Sequence, residues 1–318
     1  MKVIFMGTPD FAAPALDKIV EAGHEVVLCV TQPDRQRGRG KEVSFCPVKE
    51  CAVKHGIPVF QPEKIKTAES VEELRKYPAD IFVVAAFGQI LSKEILDMPK
   101  YGCVNIHASL LPKYRGAAPI QWSILDGEKE TGVTIMQMNA GLDTGDILLQ
   151  RKFEISAEET GESLFDRLAE LGAKAIVEAL PMIEAGELTP VPQDDAASTY
   201  AKMLKKDMGL VDWTWDAAKI ERYVRGLNSW PSAYTFLNGK QLKIWKAEVI
   251  ATEKANEEAK AGTVYEVNKD SIDVMTGDGI LRIRCIQLEG KKRMDVGSFL
   301  LGYKINKGDL LGKSAGLL

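Results

Sequence analysis

The sequence predicts an α/β protein, a doubly wound sheet domain followed by a small β-barrel domain. Three observations lead there. In the first half, short continuous apolar runs such as Ile81–Ala86 alternate with helical patterns, as expected for parallel strands covered on both faces. From about Ser232 the pattern changes to short strands and turns, the spacing of a small all-β barrel. The 318 residues are too many for one ordinary domain and comfortable for two.

The elements follow in order. Val3–Met6 is a short buried strand, followed by the turn Gly7-Thr8-Pro9-Asp10. Phe11–Ala22 is a helix ending at Gly23, Val26–Thr31 the next strand, Cys46–His55 a helix ending at Gly56, and Val59–Phe60 a short strand. Val71–Lys76 is helical, and Ile81–Ala86 and Cys103–His107 are further strands, which completes a set of βαβ units in a Rossmann-like sheet. Val133–Met138 and Asp146–Phe153 flank the turn Asn139–Gly145 and form a hairpin added to the sheet. Glu158–Glu184 is a long amphipathic helix, expected to end or kink at Leu180-Pro181 because proline lacks the amide hydrogen. Gly186–Ser198, with Pro190 and Pro192, is the best linker. The expected division is therefore a domain over 1–189, a linker over 190–204 and a barrel domain over 205–318. In the last part, 216–226 is a helix and Ala233–Leu237, Leu242–Val249, Gly262–Val267, Ile272–Met275 and Ile280–Leu288 are strands, with Asn238-Gly239 a hairpin turn.

Composition narrows the function. No stretch approaches the apolar length of a membrane span, and the N-terminal apolar run is too short for a signal peptide, so a cytoplasmic protein is expected. Five cysteines at 29, 46, 51, 103 and 285 give an odd, scattered set without CxxC, which argues against a disulfide framework or a zinc site. Cys29 and Cys103 read as buried small hydrophobes. Residues 1–204 carry 22 cationic and 30 anionic side chains, whereas 205–318 carry 19 and 15. An acidic front and mildly basic back suit two domains with different partners, although drift in surface composition explains the same numbers.

Several residues can do chemistry. Alternation puts Asn105 and His107 on one side of their strand, at the carboxyl end where reactive groups of open α/β sheets collect. Taken alone, His107 reads equally as a hydrogen-bonded structural side chain, and Asp143 as the stabiliser of its glycine-rich turn. The segment Ser109–Ile120, with Pro112, Gly116 and Pro119, is a rigid loop able to pin backbone groups near a ligand. After Thr31, the run Arg35, Arg37, Arg39 and Lys41 places four cations in seven residues with interleaved glycines. It is either a solvated loop or a phosphate-gripping one.

Together these stretches resemble the folate-dependent formyltransferase family. The resemblance rests on GTPDFA at the start, AAFGQIL at 85–91, NIHASLLPKYRGAAPIQW at 105–122 and GLDTGDIL at 141–148. It implies Asn105, His107 and Asp143 as catalytic residues. It implies Phe87, Gly88, Gln89, Ile90, Ser109, Leu110, Leu111, Pro112 and the loop before Asp143 as contacts to the donor, 10-formyltetrahydrofolate. RGLNSWPSAYT at 225–235 and IQLEGKKRM at 286–294 are similar to the family members that act on charged tRNA, whose second domain is an OB-like barrel. The resemblance so implies initiator methionyl-tRNA as the partner, with Arg35, Arg37, Arg39 and Lys41 gripping its acceptor stem, in a monomer without metal or membrane attachment.

The chemistry those residue types suit is acyl transfer to an amine. Attack on the formyl carbonyl builds an oxyanion, which the Asn105 amide, and His107 when protonated, can stabilise. An α-amine, which ordinarily titrates at roughly 7.7–8.0, must shed a proton, and a carboxylate at Asp143 orients His107 to relay it through water. Other acceptors and activities fit less well. Glycinamide ribonucleotide formylation is typical of one-domain chains and leaves the last 110-odd residues without a role. The bifunctional amino-sugar enzymes carry a second glycine-rich nucleotide domain, which is absent. A folate-dependent dehydrogenase needs a much longer chain with a catalytic cysteine domain. A nicotinamide dehydrogenase needs GxGxxG after the first strand, also absent, and a purely RNA-binding protein has no use for Asn105, His107 and Asp143.

Overall fold

The apolar runs of the first half become strands because each is paired on its edges and covered by helices. The computed structural model describes residues 1–36, 43–250 and 260–312. It contains β1 (Lys2–Gly7), α1 (Ala13–Glu21), β2 (Glu25–Val30), a ribbon of β3 (Arg35–Gln36) and β4 (Val43–Ser44), α2 (Pro47–Lys54), β5 (Val59–Phe60), α3 (Ala68–Arg75), β6 (Ile81–Ala85), α4 (Lys93–Leu96), β7 (Cys103–His107), β8 (Arg115–Gly116), α5 (Pro119–Leu125), β9 (Glu130–Gln137), β10 (Ile147–Glu154) and α6 (Gly161–Ala185). Seven strands make one sheet in the order β10-β9-β7-β6-β1-β2-β5. The five from β7 to β5 are parallel, and the hairpin that the sequence predicts, β9 and β10, joins antiparallel at the β7 edge.

That order fixes where a site can form. The chain runs from β1 outward through β2 to β5, then returns to the other side of β1 as β6 and β7. Loops leaving β1 and β6 therefore part in opposite directions and open a crevice at the carboxyl ends of the strands. Ile4, Met6, Leu28, Val30, Phe82 and Val84 pack with Val71 and Leu74 of α3 in one core layer below it.

The expected break at Pro181 does not occur. Helix α6 runs unbroken to Ala185 with Pro181 inside it. A proline there forfeits one intrahelical bond, but Leu168, Ala173, Ile176, Ala179 and Leu180 are all essentially buried and hold the helix against the core along its length. At its other end, the Thr160 hydroxyl accepts from Ser163 N at 3.1 Å, an N-cap that starts the helix later than hydrophobicity alone suggests. Gly172 of α6 lets the helix approach β7, since a Cβ there would lie 2.8 Å from Ile106 Cγ2.

The chain divides into two compact units, 1–119 with 130–154 and 165–202, and 120–129 with 155–164 and 203–318. The segment expected as a linker is stitched into the first unit. Val191 bridges Ile147, and β11 (Tyr200–Ala201) pairs in parallel with β8. The second unit holds α7 (Ala217–Gly226), β12 (Ala233–Leu237), β13 (Lys240–Ile250), β14 (Val264–Val267), β15 (Ile272–Met275), β16 (Ile280–Leu288), β17 (Met294–Asp295) and α8 (Val296–Leu300). Its antiparallel ladder runs β12-β13-β16-β15-β14, with β17 on β16. Register shifts in β13 between Ile244 and Ala247 bend the sheet over a core of Trp213, Ile220, Val224, Ile244, Ile283 and Phe299. Segment 120–129 belongs here because Leu125 O accepts from Arg222 Nε at 3.2 Å. No helix among the described residues is long and apolar enough to cross a membrane.

The Gly172 contact gives a direct test. Gly172→Val should force α6 off β7 and cost about 1–3 kcal/mol, the usual penalty of overpacking, read as a lowered midpoint in urea unfolding.

Candidate active site

Strand β7 ends at His107, and its ring is held by a backbone group. Nε2 lies 2.8 Å from the Tyr114 carbonyl. A carbonyl only accepts, so Nε2 carries the hydrogen and donates. That leaves Nδ1, which faces Asp143 Oδ2 at 3.7 Å. Both side chains are well buried, 6% and 13% exposed. Asn105 is half-buried two residues earlier in the same strand, on the same side as His107 by alternation. Its amide makes no hydrogen bond among the described residues, so its donors remain open to a ligand.

Asp143 reaches His107 from an unexpected direction. Its turn leaves β9 beside the start of β7, where Met138 N donates to Cys103 O at 2.8 Å, and folds back along that strand. Asp143 adopts φ +52, a left-handed conformation that Asp tolerates better than most residues. Asn139 Oδ1 accepts from Gly141 N at 2.9 Å and from Thr144 Oγ1 at 2.8 Å. Gly145 passes so near β9 that a Cβ would sit 1.6 Å from Gln137 O, so only glycine fits. The carboxylate is then fixed by Gly116 N, which donates to Oδ2 at 2.8 Å.

The expected donor-contact residues split into two groups. Gln89 commits its side chain inside the protein, accepting from Ile65 N at 2.7 Å and donating to Pro62 O at 3.1 Å. Ser109 is buried and donates to Lys113 O at 2.7 Å, and Leu111 is buried as well. These three help to shape the loops. Phe87 is buried while Gly88 is exposed and Ile90 is 82% exposed; Leu110 and Pro112 are half-exposed.

Sequence reasoning missed Thr134, which builds the 109–112 loop. Its hydroxyl donates to Ser109 O at 2.7 Å and accepts from Leu111 N at 3.1 Å and Gln150 Nε2 at 2.9 Å. The available signal was a threonine amid the apolar run of β9, fully buried in the structure. Gln193, in the segment expected as a linker, was missed too.

At the switch point lies a cleft of about 420 Å³ lined by Thr8, Gln32, Asp34, Ser44, Ala86 and Phe87, among others, and by none of Asn105, His107 and Asp143. Its floor is rigid. Phe87 O accepts from Gln32 Nε2 at 3.2 Å and Thr8 Oγ1 at 3.4 Å. Burial works to raise the Asp34 carboxyl, but the Gln61 amide and the Lys49 ammonium hold it below the usual carboxylate range. Arg37, Arg39 and Lys41 lie outside the described residues, as does the side chain of Arg35.

Other reactive groups are occupied. Burial pushes the Cys103 thiol up to about 12, which suits a packing residue. Asp17, Cys51 and His55 come together, but His55 Nε2 already lies 2.6 Å from Asp17 Oδ1, Lys54 faces the same oxygen at 3.4 Å, and burial pushes the Cys51 thiol up to about 11. They form an interhelical ion pair rather than an open ligand set.

Asn105 and His107 on β7, with Asp143 3.7 Å from the His107 ring, stand at the carboxyl edge of a doubly wound sheet. Family models described as "Formyl transferase" and "Formyl transferase, C-terminal domain" match residues 1–180 and 203–304, and the chain belongs to the formyl transferase family. Among its relatives are the methionyl-tRNA formyltransferases of Agathobacter rectalis, 54% identical over 97% of this chain and 98% of that one, and of Lachnospira eligens, 55% identical over 98% and 100%. Two solved structures share the fold. HypX from Aquifex aeolicus in complex with tetrahydrofolic acid has a TM-score of 0.60 at 19% identity, over 97% of this chain and 50% of that one. The N-formyltransferase from Helicobacter canadensis, in complex with folinic acid and dTDP-3-aminofucose, has a TM-score of 0.65 at 19% identity, over 92% and 100%.

Thr134→Val removes the shared hydroxyl and strands Leu111 N and Ser109 O in a buried site. It should cost about 1–3 kcal/mol in chemical denaturation and raise KM for the folate donor, measured at saturating acceptor.

Proposed function

We propose that this chain transfers the formyl group of 10-formyltetrahydrofolate to the α-amino group of methionine on initiator methionyl-tRNA, in the cytoplasm, giving formylmethionyl-tRNA for translation initiation. The observation that carries the reading is a match of 97–98% of the chain, second unit included, to proteins named methionyl-tRNA formyltransferase, joined to a buried His107–Asp143 pair at the carboxyl end of β7.

The donor supplies an activated one-carbon acyl group. Residues 87–90, 109–112 and the turn before Asp143 hold it, with Ile90 and Gly88 offering surface and the buried Ser109 and Leu111 giving the loop its shape. Asn105 donates an amide hydrogen toward the oxygen that gains negative charge. His107 exchanges a proton at Nδ1, the one ring nitrogen not committed to the Tyr114 carbonyl. Asp143, fixed by Gly116 N, holds the partner charge and orders the path by which the attacking amine loses its proton. Asn105, His107 and Asp143 act as a unit, so deleting any one removes most of the effect.

The tRNA reading is supported from two directions. Asp34 and Ser44 line the cleft and bracket the cationic run Arg35, Arg37, Arg39 and Lys41, which suits a charged acceptor end entering there. On the second unit, the Trp245 ring lies 4.7 Å from the Arg293 guanidinium and 5.5 Å from Lys243 Nζ, the pairing of aromatic and cation that nucleic acids favour.

The test is transfer of radiolabelled formyl from 10-formyltetrahydrofolate to charged initiator tRNA, with uncharged tRNA and glycinamide ribonucleotide alongside. Label on methionyl-tRNA alone is expected; label on the ribonucleotide, or on nothing, rejects the reading. In the same assay His107→Ala or Asp143→Asn should lower turnover by several orders of magnitude with little change in unfolding midpoint, and near-normal rates would overturn their roles. Replacing Arg35, Arg37, Arg39 and Lys41 with alanine should weaken tRNA use and flatten its dependence on salt; unchanged kinetics across a salt series would remove the loop from tRNA binding.

A further inference from the structure

The segment after α6 holds the turn that carries Asp143, and we propose that Gln193 is a positioning residue for formyl transfer, setting Asp143 against His107. The inference rests on the reaction proposed above.

Gln193 Nε2 donates to Asp143 O at 2.8 Å and to Gly145 O at 2.7 Å, while Oε1 accepts from Arg115 Nε at 3.0 Å. Both amide hydrogens are used. A flipped amide would set its oxygen against two carbonyls and its NH2 against a guanidinium N–H, so the chemistry allows one orientation. Arg115 is itself anchored, its guanidinium paired with Asp195 at 2.7 Å and its backbone N donating to Thr199 O at 2.9 Å. The next residue, Gly116, supplies the N–H that holds the Asp143 carboxylate.

Gln193 therefore ties the backbone of the turn to the strand that grips the carboxylate. The bonds inside the turn, from Asn139, shape it locally. Those of Gln193 fix it relative to β8, across 48 and 50 residues of sequence. Asp143 sits at φ +52, a conformation that persists only when its surroundings enforce it. Loosening this tie leaves the sheet, the cleft and the 109–112 loop as they are, and changes the separation of Asp143 from His107 Nδ1. The consequence is a loss in the chemical step rather than in binding.

Two variants test this, with kcat and KM measured for both substrates and folding checked by thermal unfolding. Gln193→Ala should lower kcat by about tenfold to 10²-fold, the scale of a misplaced catalytic group, with each KM within about twofold. Gln193→Glu keeps the volume and the contact to Arg115 but turns an oxygen on two carbonyls. Its kcat should fall as well, and its ratio to the parent kcat should rise as pH falls and the new carboxyl gains a proton to donate. A kcat within twofold of the parent for Gln193→Ala, or a loss carried by KM alone, overturns the proposal. If Gln193→Ala does not fold, the Gln193→Glu ratio decides, and a ratio flat with pH overturns it. A parent protein that transfers no formyl group refutes the reaction itself, whereas an active parent with an unimpaired Gln193→Ala refutes only the positioning role.

Discussion

The site depends on one arrangement, the Asp143 carboxylate fixed by Gly116 N and set 3.7 Å from His107 Nδ1. A carboxylate placed this close to an imidazole is useful only if neither can swing away, and both are tethered through backbone groups. The Tyr114 carbonyl takes the far side of the ring, and a backbone N–H takes the carboxylate. Rigid main-chain partners cost little reorganisation during reaction, which is what electrostatic preorganisation requires. The left-handed Asp143 and the Gly145–Gln137 contact are the conformational expense of delivering that carboxylate to the face of β7.

Sheet topology sets the rest. Because the strand order reverses around β1, the loops after β1, β2 and β6 frame a cleft. Helix α6 locks β7 from behind through Gly172. The hydrogen bonds to Phe87 O and the Thr134 hub shape the loops that follow β6 and β7.

Much of this was legible in the sequence. Strand alternation placed Asn105 and His107 together, the family resemblance singled out Asp143 where turn chemistry alone read it as structural, and the apolar runs gave the parallel strands and the added hairpin to within about three residues. What escaped depends on contacts remote in sequence. Pro181 reads as a helix end because local rules weigh the lost hydrogen bond and not the buried face that outweighs it. The 190–204 segment reads as a linker because prolines and small polar residues mark loops, while its pairing with β8 and the reach of Gln193 to the Asp143 turn leave no local periodicity. The internal hydrogen bonds of Gln89 and Ser109 were not legible either, because their partners are set by the fold of the loops.

The proposed chemistry rests on His107 donating from Nε2 to the Tyr114 carbonyl, which leaves Nδ1 to exchange the proton. Long-range ¹H–¹⁵N correlation spectra of the histidine rings measure this directly, and with only three histidines in the chain a His107→Gln control assigns the signal. The neutral ring of His107 should carry its hydrogen on Nε2, with Nδ1 unprotonated and its shift responsive to Asp143→Asn. A neutral ring protonated on Nδ1 would contradict this, because the nitrogen facing Asp143 would then be the donor and the bond to Tyr114 could not exist.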